Sequence, residues 1–329
     1  MTQQIPLITP ETLHKSYPLL PEHLHCIAQH RKIAKKIIHG QDKRLIVILG
    51  PCSIHDPALA LEYGHHFNRL SKKIANHIFL IMRVFLEKPR TQFGWKGFIY
   101  DPFLDESHDV EKGLTASWEL LRNLVMIEIP IATEFLDPML STYTRDAITW
   151  GVIGARTSAS QIHRQLASQL SMPIGFKNTT DGNLNHAICG ALAARHPQLT
   201  LSIDNKGKIC SFTSCGNPFT HIILRGTTKQ PNHDPISVTQ TIQQQHLYGL
   251  HSRLLIDCAH GNSAKNPTQQ CQVFLSILKQ IQDGNDSIMG MMLESHLKGG
   301  NILSMTDPCL DWESTEELLL QAYQILNNS

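Results

Sequence analysis

"RLIVILGPCSIHDP", residues 44–57, sets five consecutive aliphatic residues between Arg44 and Gly50 and then breaks into a polar loop carrying Cys52. A run that is apolar at every position, and not at every second one, marks a strand covered on both faces, as in a parallel sheet. The pattern recurs in "HIFLIMRVF" (77–85), "IPIATEF" (129–135), "WGVIGAR" (150–156), "MPIGFK" (172–177), "FTHIILRG" (219–226), "RLLIDC" (253–258) and "SIMGMMLE" (287–294). Amphipathic helical patterns follow them at 57–73, 112–127, 138–150, 158–170, 182–196, 235–249, 265–283 and 313–327. Eight strands alternating with eight helices predict an α/β chain folded as a (β/α)8 TIM barrel, in preference to an open doubly wound sheet.

Two segments lie outside the alternation. Residues 1–42 hold an arm and the helical pattern "EHLHCIAQHRKIAKKIIHG", whose last turn is basic and closes on Gly40. They are expected to form an added N-terminal arm and helix ahead of a barrel spanning 43–329. The second is "LTLSIDNKGKICSF", residues 199–212, where two alternating runs flank "DNKGK". It predicts a β-hairpin inserted in the fifth crossover.

The 329 residues are 41% hydrophobic and 17% charged with a net charge of +1. That is ample for a large core, and a chain this near neutrality offers no broad field for nucleic acid or an anionic membrane. With no signal-like N-terminus and no membrane-length apolar run, a cytoplasmic protein is expected. The eight cysteines are then expected to be reduced thiols, and Cys210 and Cys215, close together without a second pair, read as ordinary hairpin residues.

Barrels of this class carry their chemistry at the C-terminal ends of strands and in the loops that follow. Here those positions hold Cys52; then Arg83, Lys88, Arg90 and Lys96; then Glu134, Arg156, Lys177, Arg225, Asp257, His260 and Glu294. Each lone arginine would pass as a solvated charge, but every strand delivering a charged or metal-capable group to one end would not. Cys52, His260, Glu294 and Asp307 offer one sulfur, one imidazole and two carboxylates. That mixed set suits one exchangeable divalent metal (Mn, Fe, Co or Zn). The cations Arg83, Lys88, Arg90, Lys96, Arg156, Lys177 and Arg225 exceed what one monophosphate needs, and suit two phosphorylated substrates, one of them also a carboxylate. Thr91 adds a hydroxyl donor, while Phe93 and Trp95 either wall the site or pack in the core.

"GPCSIHDP", "MRVFLEKPRTQFGWKG", "ATEFLDP", "GARTSASQIHRQLAS", "PIGFKNTTDGN", "HIILRG", "IDCAHGNSAKN" and "ESH" followed by "TDPCLDW" resemble the type I 3-deoxy-D-arabino-heptulosonate-7-phosphate (DAHP) synthases, in order and at family spacing. The resemblance implies a decorated (β/α)8 barrel. It also implies a transferase that condenses phosphoenolpyruvate (PEP) with erythrose 4-phosphate, releasing phosphate, as the first step toward chorismate and the aromatic amino acids. Carried over by motif, the metal ligands are Cys52, His260, Glu294 and Asp307. PEP meets Arg83, Lys96, Glu134, Arg156, Lys177 and Arg225, while Lys88, Pro89, Arg90 and Thr91 hold erythrose 4-phosphate. In the implied mechanism the metal polarises the aldehyde, the alkoxide takes a proton from Lys88 or from water on the metal, and a water near Glu134 adds to the second carbon of PEP.

The same resemblance implies a homodimer or homotetramer and inhibition by an aromatic amino acid, with Ser171 and Ser202 at positions lining the effector pocket. "LITPETLHKSYPLL" is closer to tyrosine-regulated members, whereas "LSTYT" (140–144) departs from the Pro-Gln found in many. The stretch "LKGGNILSM" (297–305) is shorter than in many relatives, which makes Asp307 the ligand on the shortest tether. Cys309, two residues on, is implied to approach Cys52. Two other functions remain open: the related 3-deoxy-D-manno-octulosonate-8-phosphate synthase activity, which would carry Lys-Ala-Asn-Arg where Lys88–Thr91 stand, and a non-catalytic barrel that binds phosphometabolites and regulates a partner. Glu87, the single acid in the basic stretch 83–97, has no assigned part.

Overall fold

The structure, a computed structural model, describes residues 4–300 and 306–328. In chain order the strands are β1 (Leu45–Gly50), β2 (Ile78–Arg83), β3 (Ile131–Glu134), β4 (Trp150–Ile153), β5 (Ile174–Lys177), β6 (Leu199–Ile203), β7 (Ile209–Thr213), β8 (Thr220–Leu224), β9 (Leu254–Asp257), β10 (Ile288–Glu294), β11 (Lys298–Gly300) and β12 (Cys309–Asp311). The eight aliphatic runs become one closed barrel in the order β1-β10-β9-β8-β5-β4-β3-β2, every pair parallel. The predicted hairpin is the antiparallel pair β6–β7, between β5 and β8.

The helices are α1 (Pro10–Ser16), α2 (Pro21–Ile38), α3 (Pro57–Ile74), α4 (Val110–Met126), α5 (Ser141–Thr144), α6 (Gln161–Gln169), α7 (Asn185–Arg195), α8 (Pro235–Leu247), α9 (Pro267–Gln282) and α10 (Trp312–Asn327). The helix expected over 138–150 shrinks to α5 and a 3-10 turn at 145–147. The β-branched Ile148 is already extended, and Thr149 donates to the Ile131 carbonyl at 2.8 Å, so the chain joins the sheet early. Helix α1 went unread although its start is written in "TPET": Thr9 accepts from the Thr12 amide and Pro10 opens the first turn. The ribbon β11–β12 also went unread, because three-residue strands carry no measurable period.

Strand side chains alternate between two apolar layers, following the two-residue period of a strand. Leu45, Val47 and Leu49 belong to the layer shared with the surrounding helices, whereas Ile46, Ile48, Phe79, Ile81, Val152, Ile223, Leu255 and Met292 pack inside the barrel. Ala34, Ile37 and Ile38 of α2 join the inner cluster. Arg31 fastens this helix beneath the barrel, donating to the carbonyls of Ile148 and Arg145, both at 2.8 Å, just ahead of β4. Helix α2 thus plugs the end of the barrel opposite the strand C-termini, whereas Leu13 of α1 packs with the outer layer.

Helix α4 packs against the long excursion that follows β2. A Cβ on Gly113 would lie 2.0 Å from the Ile99 carbonyl oxygen, so only glycine admits this approach. Gly113→Ala is expected to cost about 1–3 kcal/mol of stability by overpacking, read as a lower midpoint in urea unfolding at unchanged slope.

Candidate active site

Continuing the inward series of each strand toward its C-terminal end explains why charges converge there. Arg83 follows Phe79 and Ile81, Glu134 follows Ala132, Arg225 follows Ile223, Asp257 follows Leu255, and Glu294 follows Met292. On β4 the same parity puts Gly154 inward, and a Cβ there would lie 2.0 Å from Glu134 Oε1. That glycine makes the space the Glu134 carboxylate uses. Above this floor is a cavity of about 340 Å3 lined by Cys52, Arg83, Glu87, Lys88–Phe93, Glu134, Arg156, Arg225, His260, Lys265 and Asp307.

One ligand atom each from Cys52, Glu294 and Asp307 lies within 4.8 Å of the other two. His260, the fourth expected ligand, falls outside that mutual spacing but has its Nε2 3.6 Å from Glu294 Oε1. A thiol, an imidazole and two carboxylates gathered beneath a cavity fit a divalent transition metal. Asp307 reaches this group despite the short tether, and its amide donates to Cys52 Sγ at 3.4 Å. Residues 301–305 of that tether lie outside the described residues. Burial and then Glu294 push the Cys52 thiol up, against the pull of Lys88 and Arg83. For Asp307, burial acts upward, but Lys265, Lys88 and His260 together hold the carboxyl below its ordinary range.

The cations are anchored at several depths. Arg83 is buried and fully engaged: Nη2 bonds Glu294 Oε1 at 2.8 Å and the Cys52 carbonyl at 3.1 Å, Nε bonds the Pro51 carbonyl at 3.0 Å, and the guanidinium stacks 3.7 Å from the Phe85 centroid. Lys177 is buried against Asp257 at 2.6 Å. Lys88 Nζ lies 2.7 Å from Cys52 Sγ, joining the loop after β2 to the candidate metal ligands. Arg156, at the mouth, donates to Thr91 Oγ1 at 2.8 Å, and Arg90 donates to the Trp95 carbonyl at 2.7 Å. Arg225 hangs from a backbone held by Asn178 Oδ1 at 2.9 Å.

The family model for the DAHP synthetase I family matches residues 23–327. The chain belongs to that family. It is 45% identical to the Tyr-sensitive phospho-2-dehydro-3-deoxyheptonate aldolase of Escherichia coli K12 over 99% of this chain and 95% of that one. With the Trp-sensitive aldolase of Enterobacter agglomerans it shares 41% over 95% and 93%. The solved structure of the aldolase from Francisella tularensis SCHU S4 superimposes with a TM-score of 0.96 at 41% identity, over 99% of this chain and 98% of that one. The barrel fold and the enzyme class expected from the motifs agree with this family membership.

Not every expected residue of the DAHP synthetase I site meets the cavity. Two expected PEP contacts are absent from the lining: Lys177, buried against Asp257, and Lys96, exposed with Nζ 5.9 Å from the Tyr100 ring centroid. The neighbour of Lys96, Trp95, turns into the core instead, donating to the Asp101 carbonyl at 3.0 Å, and Lys96 faces outward. Phe93 is fully exposed at the cavity rim. Ser171 accepts from Arg31 at 3.0 Å, whereas Ser202 stands on β6 opposite Cys210, so different elements hold the two serines. All eight cysteines are free. Lys265, which pairs with Asp307 at 3.1 Å, was missed although it stands next to last in the motif "IDCAHGNSAKN".

Glu87 acquires a place. Its buried carboxyl accepts the amides of Asp137 at 3.1 Å and Leu136 at 3.3 Å, tying the loop after β2 to the loop after β3. Burial pushes this carboxyl up to about 8, outweighing those amides, with Asp137 and Glu134 adding to the rise. A raised pKa in the folded state means that stability is full below the ordinary value of 4.5 and is lost as pH climbs toward 8. Glu87→Gln is therefore expected to gain stability relative to the parent as pH rises from 5 to 8. The check is urea unfolding of both proteins at pH 5, 6.5 and 8; a constant difference between them would contradict the assignment.

Proposed function

We propose that this chain condenses PEP with D-erythrose 4-phosphate and water to give DAHP and phosphate, the first step of the shikimate pathway, in the cytoplasm. One observation carries the reading: a family-wide match whose candidate metal ligands lie directly beneath a cavity walled by Lys88–Thr91, Arg156 and Arg225. Cys52, His260, Glu294 and Asp307 would hold one divalent metal (Mn, Fe, Co or Zn), which when bound supplies Lewis acidity toward an aldehyde oxygen.

The chain's own groups do the remainder. Arg156, Lys177 and Arg225 bind the phosphate and carboxylate of PEP from the β4, β5 and β8 ends, while Arg83, held by Glu294 and two carbonyls, presents its charge without freedom to reorient. Lys96 would join them only by swinging in from its exposed position. Pro89, Arg90 and Thr91 carry the erythrose 4-phosphate side, and Lys88, between that loop and Cys52, is within reach to give a proton to the new alkoxide. Glu134, pressed against Gly154, orients the water that adds to the second carbon of PEP. The arginines and lysines then take up the departing phosphate.

We further propose a homodimer or homotetramer inhibited by an aromatic amino acid, with residues 1–42 as the extension that serves both. Three large apolar side chains of the hairpin, Leu199, Leu201 and Ile209, are at least two-thirds exposed, which supports burial against another copy. The arm already meets the neighbouring elements of its own chain. Tyr143 Oη donates to the Ile8 carbonyl at 2.7 Å, and the Glu11 amide donates to the Asn205 carbonyl at 2.7 Å. Ser171 and Ser202 would line the effector pocket.

Phosphate release from PEP is expected with erythrose 4-phosphate, not with arabinose 5-phosphate, and is expected to stop with chelator and return with Mn2+. Lys88→Met should fold normally yet lose about 100-fold or more in kcat, in the range for removing a proton-transfer group; full turnover would refute its role. In the same assay one of Phe, Tyr or Trp should inhibit the parent, and deletion of residues 1–9 should relieve that inhibition.

A further inference from the structure

Asp257 has no part in the reaction as proposed, yet its carboxylate lies where two functions meet. A single oxygen, Oδ2, is 2.6 Å from Lys177 Nζ and 2.9 Å from His260 Nδ1. The other oxygen accepts the Ala259 amide at 3.0 Å, which leaves Oδ2 as the shared one. The side chain is completely buried. Burial acts against the charged carboxylate, but Lys177 and His260 outweigh it and hold the group well below the usual carboxylate range.

The imidazole that meets this oxygen is held in an uncommon backbone position. His260 has φ of 54°, a left-handed conformation that non-glycine residues adopt at a cost. The following residues stabilise it: Gly261 donates to the Arg225 carbonyl at 3.1 Å, and the Asn262 side chain donates to the carbonyls of Leu224 at 3.3 Å and Asp257 at 2.8 Å. The result brings Nδ1 to 2.9 Å from Asp257 Oδ2, off the line of a hydrogen bond while Lys177 holds that oxygen, and Nε2 to 3.6 Å from Glu294 Oε1.

We infer that Asp257 is a positioning residue that makes PEP binding and metal binding strengthen each other, by sharing one carboxylate oxygen between Lys177 and His260. The inference rests on the function proposed above. An imidazole ligates through Nε2 when Nδ1 keeps its hydrogen, and a carboxylate that accepts that hydrogen fixes the tautomer and makes the ring a better ligand. Lys177 competes for the same oxygen. A phosphate or carboxylate of PEP arriving beside Lys177 draws the ammonium toward itself and leaves Oδ2 more fully to His260, so the metal is held more tightly. Linkage requires the converse with the same factor: bound metal raises the affinity for PEP.

The test measures Mn2+ dissociation constants from the free-ion electron paramagnetic resonance signal, with and without PEP, for the parent, Asp257→Asn and Lys177→Gln. The parent should bind Mn2+ several-fold to about 100-fold more tightly when PEP is present. Asp257→Asn should weaken Mn2+ binding without PEP by about 10–100-fold and bring the PEP effect close to none. Lys177→Gln should weaken PEP but tighten Mn2+ in its absence, because His260 no longer shares the oxygen; a lysine that served PEP alone would leave Mn2+ affinity unchanged. Circular dichroism checks that each variant folds, and if Asp257→Asn does not, Lys177→Gln decides the matter. Unchanged Mn2+ affinity in Lys177→Gln, or an undiminished PEP effect in Asp257→Asn, overturns the inference. Failure of the proposed function is separate: the parent would then release no phosphate from PEP and erythrose 4-phosphate, whatever its Mn2+ constants.

Discussion

The hydrogen-bond ladder between β1 and β10 is the contact on which the rest depends. Five register pairs, from Ile46 with Gly290 to Gly50 with Glu294, join the first barrel strand to the last, while β1 also pairs with β2. Closure leaves no sheet edge, and because every pair is parallel, all eight C-terminal ends open on one rim. An open sheet from the same elements would spread Arg83 and Glu294 apart. In the barrel they meet at 2.8 Å though 211 residues separate them.

That rim must hold many charges close together, and the structure does so by interleaving signs. Arg83 pairs with Glu294 and Lys177 with Asp257 on the buried floor, Lys265 pairs with Asp307 at the rim, and Lys88 bonds the Cys52 sulfur between them. The two buried pairs, Arg83 with Glu294 and Lys177 with Asp257, add little net stability, since desolvation offsets most of their attraction, but removing one partner leaves a buried charge that costs about 3–5 kcal/mol. Their value lies in fixed orientation. Groups that must meet two anionic substrates are held in place before either arrives, which lowers the reorganisation that binding demands.

Much of this architecture was legible in the chain itself. The eight aliphatic runs, the hairpin turn at "DNKGK" and the concentration of charge after each run are local features, and all persist in the fold. The helix over 138–150 did not persist, because amphipathic spacing cannot show that Thr149 is captured by Ile131 across the sheet. Lys96 was grouped with its charged neighbours by sequence distance, but it faces outward beside the buried Trp95. The lysine at 265 and the acid at 87 lacked a reading because their partners, Asp307 in one case and the amides of Leu136 and Asp137 in the other, are remote along the chain.

The eight barrel strands, the hairpin and the end of the barrel where charge gathers follow from the sequence, because strand periodicity and strand-end composition are properties of neighbouring residues. Only the tertiary structure decided which of those groups touch. It gathered Cys52, Glu294 and Asp307 within 4.8 Å, seated α2 under the barrel, and placed one oxygen of Asp257 between Lys177 and His260. Such contacts arise from barrel closure and strand register, which set distances between residues far apart in the chain and leave no local mark on it.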